Sequence, residues 1–150
     1  ELHAMHLAHE YIRRWCGALT EEDLVARPHG LPPVAFHIRH IVGSLDRLLT
    51  YAEGKTLDGE QKRWMVAEMD SPTNRDELLT LFDYGLAAAE GRVRSIDRKR
   101  WPEQRGVGRK QLPTTVAGLL IHCAEHTQRH VGQAITTAKV LLAQREHPSA

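Results

Sequence analysis

Four long segments of the chain carry apolar side chains three and four residues apart, and this spacing restricts the fold more than any other feature. It is the period of an amphipathic α-helix, whereas a half-buried strand alternates apolar and polar residues at every second position. No segment reads convincingly as such a strand. The predicted helices run over residues 2–19, from Pro32-Pro33 to Gly54, from Ser71-Pro72 to Trp101-Pro102, and from Thr114 to about Gln144.

The connections between these segments differ in length and character. Thr20, which is followed by acidic residues, is typical of the N-cap of a short helix. Residues 55–72 are mixed, and we expect Trp64, Met65 and Met69 to pack this connection against the helices. Residues 103–113 (EQRGVGRKQLP) combine glycines, charges and a proline, which predicts a loop. Together these features predict an all-α four-helix bundle that is not necessarily a simple up-down one.

Length and charge narrow the class of protein. A chain of 150 residues fits one domain, residues 1–150, with a hydrophobic core. The formal net charge of +1, from 20 basic and 19 acidic side chains, argues against a nucleic-acid binder, which usually has a basic excess. No apolar stretch approaches the ~20 residues that cross a bilayer, and the first residues do not resemble a signal peptide. We therefore expect a cytoplasmic protein without nucleic-acid or membrane partners. Cys16 and Cys123 are too few for a disulfide framework and are expected to be buried thiols.

The chain contains ten histidines, and His122, His126 and His130 follow one another at four-residue intervals on the last helix. Two imidazoles so placed can bind one metal ion at about 2.0–2.1 Å from each nitrogen. On a helical wheel His126 and His130 lie within the apolar stripe that includes Leu119 and Cys123, whereas His122 lies at its edge. A buried polar group without a partner costs on the order of 1–3 kcal/mol. A divalent metal ion bound by His126 and His130 would remove that cost.

The second helix offers His37 and His40 as a further ligand. A helical wheel places His37 about 60° and His40 about 120° from the centre of the apolar stripe, so periodicity alone slightly favours His37. His3, His6 and His9 step around the first helix and form no tight cluster. We expect these three at the surface or at a dimer contact.

The sequence HTQRHVGQ, residues 126–133, resembles the H-x-x-x-H-x-G-Q motif of the DinB superfamily, the bundles also called the DinB/YfiT-like fold. His40, with Gly43, Ser44 and Asp46 after it, is similar to the histidine on the second helix of that family. The spacing of these residues, the order of the helices and the total length agree across most of the chain.

The resemblance implies an up-down-down-up bundle with a metal site of three histidines. It selects His40 as the third ligand beside His126 and His130. It also implies a divalent metal ion as cofactor, zinc or nickel above all, and a homodimer. Val131 stands where an arginine is common in the family, and we expect this difference to alter the rim of the pocket.

Three neutral imidazoles leave coordination positions open, as catalytic rather than structural zinc sites do. Some relatives resemble thiol-dependent S-transferases or isomerases. The leading hypothesis is therefore a metal-dependent enzyme that acts on a small-molecule substrate with a low-molecular-weight thiol. Gln133 is a candidate to orient a ligand or substrate. Glu125, Asp83 and Glu10 are candidates to accept hydrogen bonds from the imidazoles.

Two other classes of protein stay open at this point. The alternative hypothesis is a non-catalytic, stress-related protein that binds a metal ion or another ligand. A role in the response to DNA damage rests mainly on the name of the family, and a net charge of +1 gives it little support. An open coordination position beside a cleft would favour the enzyme over the binding protein.

Overall fold

The computed structural model describes residues 2–146, within which six α-helices, two single-turn 3-10 helices and two strands follow one another. The four long helices correspond to the four predicted segments, and the predicted all-α helical bundle is confirmed. The α-helices are α1 (Leu2–Cys16), α2 (Glu21–Val25), α3 (Val34–Ala52), α4 (Gly59–Ala67), α5 (Arg75–Ser95) and α6 (Val116–Glu146). The 3-10 helices are Pro28–Gly30 and Arg98–Arg100, and the strands are β1 (Gln104–Val107) and β2 (Leu112–Thr115).

Pairs of contacting residues fix the directions of the four long helices. Helix α6 is parallel to α1 and antiparallel to α3, while α5 is antiparallel to α1 and parallel to α3. The bundle therefore has the up-down-down-up arrangement. The pairs between α1 and α6 are Ala4–Gln128 and Trp15–Lys139, and those between α3 and α6 are His37–His130 and His40–His126. The pairs between α1 and α5 are His6–Glu90 and Arg13–Asp83, and those between α3 or the residue after it and α5 are Val42–Gly85 and Glu53–Arg92.

Helix α3 lies between α5 and α6, and most of its side chains are buried. Burying one large apolar side chain stabilises the fold by about 1.5–3 kcal/mol. Truncating Phe82 of α5, which is fully buried, to alanine would cost about 3–5 kcal/mol. This core fixes which faces of α3 and α6 meet. The largest fully buried side chains are Phe82, Ile12, Leu19, Leu24, Ile38, Ile41, Leu45, Leu49, Leu119, Val34, Val116 and Val131.

Side-chain caps begin the two short helices. Thr20 and Asp23 form a capping box at the start of α2, as the sequence predicted for a short helix here. Asp58 and Gln61 form a second capping box at the start of α4. Each box satisfies backbone N–H groups that the first turn of a helix leaves without partners.

Helix α4 packs the connection between α3 and α5 onto α3, but only part of the predicted contact is present. Trp64 is half-buried, and its indole Nε1 donates a hydrogen bond to the carbonyl of Arg39 at 3.4 Å. Met65 is 51% exposed, so the prediction that it packs against the bundle is wrong. The physical reason is that α4 turns one narrow face inward, and Met65 lies about 100° around the helix from Trp64.

The loop predicted for residues 103–113 is wrong, because β1 and β2 pair there as an antiparallel hairpin. Gly108 (φ 73°) and Gln111 (φ 48°) take left-handed backbone angles in the turn, and the Gln111 N–H donates to the Gly108 carbonyl at 3.1 Å. Nε of Arg105 donates to the carbonyl of Ala52 at 2.9 Å and fastens the hairpin to the end of α3. The hairpin is held by these hydrogen bonds rather than by an alternation of apolar and polar residues, so the pattern of the sequence did not predict it.

Helix α5 ends at Ser95, earlier than the predicted end at Trp101-Pro102. Ile96 leaves the helical conformation, and Asp97 caps the 3-10 turn that follows. Among residues 2–146, no helix is both long and apolar enough to cross a membrane.

Candidate metal centre

Three imidazole rings converge where α3 meets α6. His40, His126 and His130 each offer one ring nitrogen, and these three nitrogens lie within 4.8 Å of one another. The ring centroids are 4.4 Å apart for His40 and His130, 4.6 Å for His126 and His130, and 5.0 Å for His40 and His126. The antiparallel crossing of α3 and α6 brings the single histidine opposite the pair. The structure thus brings together the three residues that the family resemblance selected.

His40 is oriented by a buried carboxylate that comes from the end of α4. Nδ1 of His40 donates a hydrogen bond to Oε2 of Glu68 at 2.6 Å. The other oxygen of Glu68 accepts a hydrogen bond from Nη1 of Arg47 at 2.7 Å. Glu68 is only 3% exposed, and Arg47 balances its charge there. Because Nδ1 carries the proton, Nε2 of His40 is left with a lone pair for a metal ion.

Gly43 makes room for this carboxylate on the surface of α3. A Cβ atom at Gly43 would lie 2.5 Å from Oε1 of Glu68 and equally close to two atoms of the Trp64 ring. Non-bonded atoms do not approach so closely, so any larger residue would displace Glu68 or Trp64. The glycine therefore allows the connection to bring Glu68 within reach of His40.

His130 has a buried partner of its own. Nδ1 of His130 lies 3.0 Å from Nδ1 of His37, a hydrogen-bond distance at which one of the two atoms carries the proton. Coordination through Nε2 of His130 requires the proton on its own Nδ1, which then donates to His37. His37 is 2% exposed, so the periodicity that directed it inward was correct. Its place in the structure is behind His130, outside the group of three converging nitrogens.

His126 carries the atom that best tests whether the cluster suits a metal ion. Its Nδ1 is buried and has no hydrogen-bond partner among the residues that the structure describes. An imidazole nitrogen in this state costs on the order of 1–3 kcal/mol. A cation at the centre of the cluster would stabilise such a ring, and the all-nitrogen donor set matches the imidazole ligands that zinc and nickel accept. The residues therefore fit a divalent ion.

Burial keeps three rings of this region neutral. Burial, followed by the nearby His130 and His40 rings, lowers the pKa of His37 from 6.5 to about 4. Burial and the neighbouring His130, His40 and His122 lower the pKa of His126 to about 4. Burial and the adjacent His40 likewise lower the pKa of His130 to about 4. A metal ligand must be deprotonated, so neutral rings at physiological pH are ready to bind an ion.

His122 and Gln133 of α6 take no part in the cluster. His122 is exposed, and its ring centroid lies 5.6 Å from that of His126. Gln133, the candidate to orient a ligand or substrate, is exposed as well. Val131 is 1% exposed and belongs to the core, so the expectation that it alters the pocket rim is wrong. Position 131 is turned about 100° from His130, which directs it into the bundle.

The carboxylates expected to support the imidazoles are not those that do so. Glu125 pairs with Arg129 at the surface, and Asp83 pairs with His9 and Arg13 of α1. Glu10 is exposed, and none of the three contacts the cluster. Their role is taken by Glu68, which lies outside every helix predicted from the sequence. Only the general expectation of a packed connection over residues 55–72 pointed toward it.

The cluster opens into a cleft with a volume of about 1130 Å³. His40 and His126 lie on one side of this cleft, which extends between α3, α4, α6 and the β1–β2 hairpin. His122 also lines this cleft. A volume of this order accommodates a small molecule. The three-histidine group is therefore within reach of a ligand that enters from solvent.

Fold and site together define a class: an up-down-down-up helical bundle with a three-histidine centre suited to a divalent metal ion. The family model described as the DinB superfamily matches residues 4–134, which is most of the chain. The protein belongs to the DinB superfamily. Both the family and the histidine cluster are consistent with the binding of a divalent metal ion. A search of curated proteins found no match to this chain.

Proposed function

We propose that the protein is a metal-dependent enzyme in which His40, His126 and His130 bind a divalent ion. The adjoining cleft then binds a small-molecule substrate together with a low-molecular-weight thiol. The observation that carries this proposal is the opening of the histidine cluster into a cleft of about 1130 Å³. Zinc and nickel are the ions we expect, because both accept neutral imidazole ligands.

The reaction class that we assign is thiol-dependent S-transfer or isomerisation. A bound divalent ion lowers the pKa of a thiol or water that it holds. In S-transfer the thiol gives its proton to solvent, its sulfur forms a bond to an electrophilic carbon, and the leaving group departs with the bonding electrons. In isomerisation the thiol gives its proton to solvent and its sulfur adds to a conjugated double bond, whose electron pair moves onto the conjugated group. The new single bond rotates, the electron pair returns to re-form the double bond as the carbon–sulfur bond breaks, and the released thiolate takes back a proton.

The residues around the cluster supply orientation and control of protons. Oε2 of Glu68 accepts a hydrogen bond from Nδ1 of His40 at 2.6 Å, and in the metal-binding tautomer Nδ1 of His37 accepts one from Nδ1 of His130 at 3.0 Å. Both bonds fix the tautomer in which Nε2 is directed away from the hydrogen bond. Because Glu68 and His37 are buried, these orientations are held without competition from water.

The size of the cleft supports an enzyme over the non-catalytic alternative. A structural metal site is closed by protein ligands, whereas a catalytic site keeps a position for water or substrate. Here only three histidine nitrogens converge among the described residues, and two of these rings face a cleft large enough for reactants. A protein that only stored a metal ion would not need this volume.

A conjugation assay tests the proposal. Zinc-loaded or nickel-loaded protein is incubated with glutathione, bacillithiol or mycothiol and with 1-chloro-2,4-dinitrobenzene, and conjugate formation is followed by absorbance. We expect conjugation with at least one thiol, lost on metal removal and in His130→Ala. No conjugation above the uncatalysed rate with any of the thiols, at full metal occupancy, would overturn the proposed S-transfer and favour a non-catalytic metal-binding protein.

A further inference from the structure

The described lining of the cleft beside the histidine cluster carries five basic side chains. Among residues 2–146, no aspartate or glutamate lines the cleft, although the whole chain carries 19 acidic against 20 basic side chains. The nearly neutral net charge of the chain therefore conceals a local excess of positive charge in this cleft. The basic residues that line the cleft are Arg47, Lys55, Lys62, Arg105 and Arg109.

Three of these cations are balanced by carboxylates that lie outside the lining. Arg47 pairs with Glu68, and Lys55 pairs with Glu53 at 2.9 Å. Nη2 of Arg105 pairs with the carboxylate of Glu103, the residue before β1, at 2.6 Å. These ion pairs hold the walls of the cleft and leave less charge for a ligand.

Lys62 and Arg109 are different. Both are exposed, and neither makes an ion pair within residues 2–146. Lys62 comes from α4 and Arg109 from the turn between β1 and β2, so two separate elements contribute one cation each to the same cleft. A concave surface lined by one sign of charge attracts ligands of the opposite sign and concentrates them locally.

We propose that the cleft selects a substrate or thiol that carries at least two anionic groups, carboxylates or phosphates, with Lys62 and Arg109 as their partners. This inference rests on the proposed function for the identity of the reaction, since it names the substrate class of the same site. The cleft volume of about 1130 Å³ fits a small dianion rather than an extended polymer. The cations bind the anionic groups while the reacting atom lies toward His40 and His126.

Binding of succinate to the metal-free protein tests the charge selection without any reaction. The decisive variant is Lys62→Ala/Arg109→Ala, and the matched control is Arg63→Ala/Lys110→Ala. The control removes the same two positive charges from exposed neighbouring residues that do not line the cleft. Each exposed ion pair contributes a factor of about two to five in affinity. We therefore expect the first variant to bind succinate about tenfold more weakly at low ionic strength and the control to be unchanged.

A thiol series extends the test to the metal-loaded protein. Besides the thiol, mercaptosuccinate carries two negative charges, 2-mercaptoethanol carries none, and cysteamine carries one positive charge. The affinity of each thiol for the zinc-loaded protein is measured by calorimetry. We expect mercaptosuccinate to bind at least tenfold more tightly than 2-mercaptoethanol, with an advantage that shrinks as salt is added.

The two proposals fail in different ways. Equal succinate affinity in both double variants, or no preference among the thiols, would overturn the charge selection even if conjugation occurs. Weaker succinate binding only in Lys62→Ala/Arg109→Ala, without conjugation of any thiol, would support the anion site and overturn the proposed S-transfer.

Discussion

Glu68 and His40 are 28 residues apart in sequence, and their side chains meet at 2.6 Å inside the protein. The carboxylate accepts a hydrogen bond from Nδ1 of the imidazole on one oxygen and a hydrogen bond from Arg47 on the other. This pairing fixes the ring of the one histidine that α3 contributes to the cluster. The centre therefore depends on the short connection as well as on the two long helices.

Replacing Glu68 should weaken metal binding without removing a ligand. Partners that hydrogen-bond to metal-ligating imidazoles typically contribute 10–100-fold in affinity. We expect Glu68→Gln to lower zinc affinity by about that factor, as measured by competition with a chelating dye. Glu125→Gln is the control, because Glu125 lies one residue from His126 yet pairs with Arg129 at the surface. Equal affinities in the two variants would show that the buried hydrogen bond does not orient His40.

Gly43→Ala should disturb the same pairing from the opposite side. The new Cβ would lie 2.5 Å from Oε1 of Glu68 and from the Trp64 ring, so both side chains must move. Overpacking of this kind costs typically 1–3 kcal/mol, and we expect a lower free energy of unfolding together with weaker zinc binding. Gly91→Ala on α5 meets no atom within 4 Å and should be neutral or slightly stabilising. Chemical denaturation of both variants measures the free energy of unfolding. An unchanged free energy in Gly43→Ala would show that Glu68 and Trp64 move aside at no cost.

Alanine variants of the histidines separate ligands from their supporting residues. We expect His40→Ala, His126→Ala and His130→Ala to abolish bound metal and His122→Ala to retain it, since His122 is exposed outside the cluster. His37→Ala should retain metal with reduced affinity, because it only removes the acceptor behind His130. Metal analysis of the purified proteins measures each case. Equal loss of metal in the His122, His126 and His130 variants would reject the ligand assignment. Loss of metal in His37→Ala with retention in His40→Ala would show that His37 is the third ligand instead of His40.

The sequence predicted those parts of the molecule that depend on helical periodicity. The four long helices and the inward direction of His126 and His130 follow from the spacing of apolar residues alone. The choice of His40 as the third ligand came from the family resemblance, because the helical wheel slightly favoured His37. The structure explains both signals. His37 is the more buried ring, and His40 faces the other two histidines although it lies about 120° from the centre of the stripe.

Contacts that join distant segments could not be predicted from a single sequence. Glu68 has no fixed spacing from His40, and its approach depends on how α4 packs over Gly43. The hairpin was missed because turn geometry at Gly108 and the hydrogen bond from Arg105 to Ala52 hold it in place. The basic cleft was equally hidden, since its cations come from separate elements and the net charge of the chain is only +1.

The stability of the metal-free protein should fall in mildly acidic solution. His37, His126 and His130 have pKa values of about 4 in the folded state, below the ordinary 6.5, because burial disfavours their charged forms. Between these values the unfolded chain binds more protons than the folded one, so stability falls as the pH drops from about 6.5 to about 4. Above 6.5 the rings are neutral in both states and contribute no pH dependence. Each pKa unit corresponds to about 1.4 kcal/mol, which makes the total loss on the order of several kcal/mol.

Two variants make this pH dependence specific to the cluster. His126→Leu removes one buried titrating ring whose Nδ1 has no hydrogen-bond partner to lose among the described residues. We therefore expect this variant to lose less stability than the parent protein between pH 6.5 and pH 4. His3→Ala, at an exposed position of α1, should follow the parent curve. Urea denaturation of the metal-free proteins across this range provides the comparison. A parent protein whose midpoint stays constant over the interval would show that these rings are not held neutral by the fold.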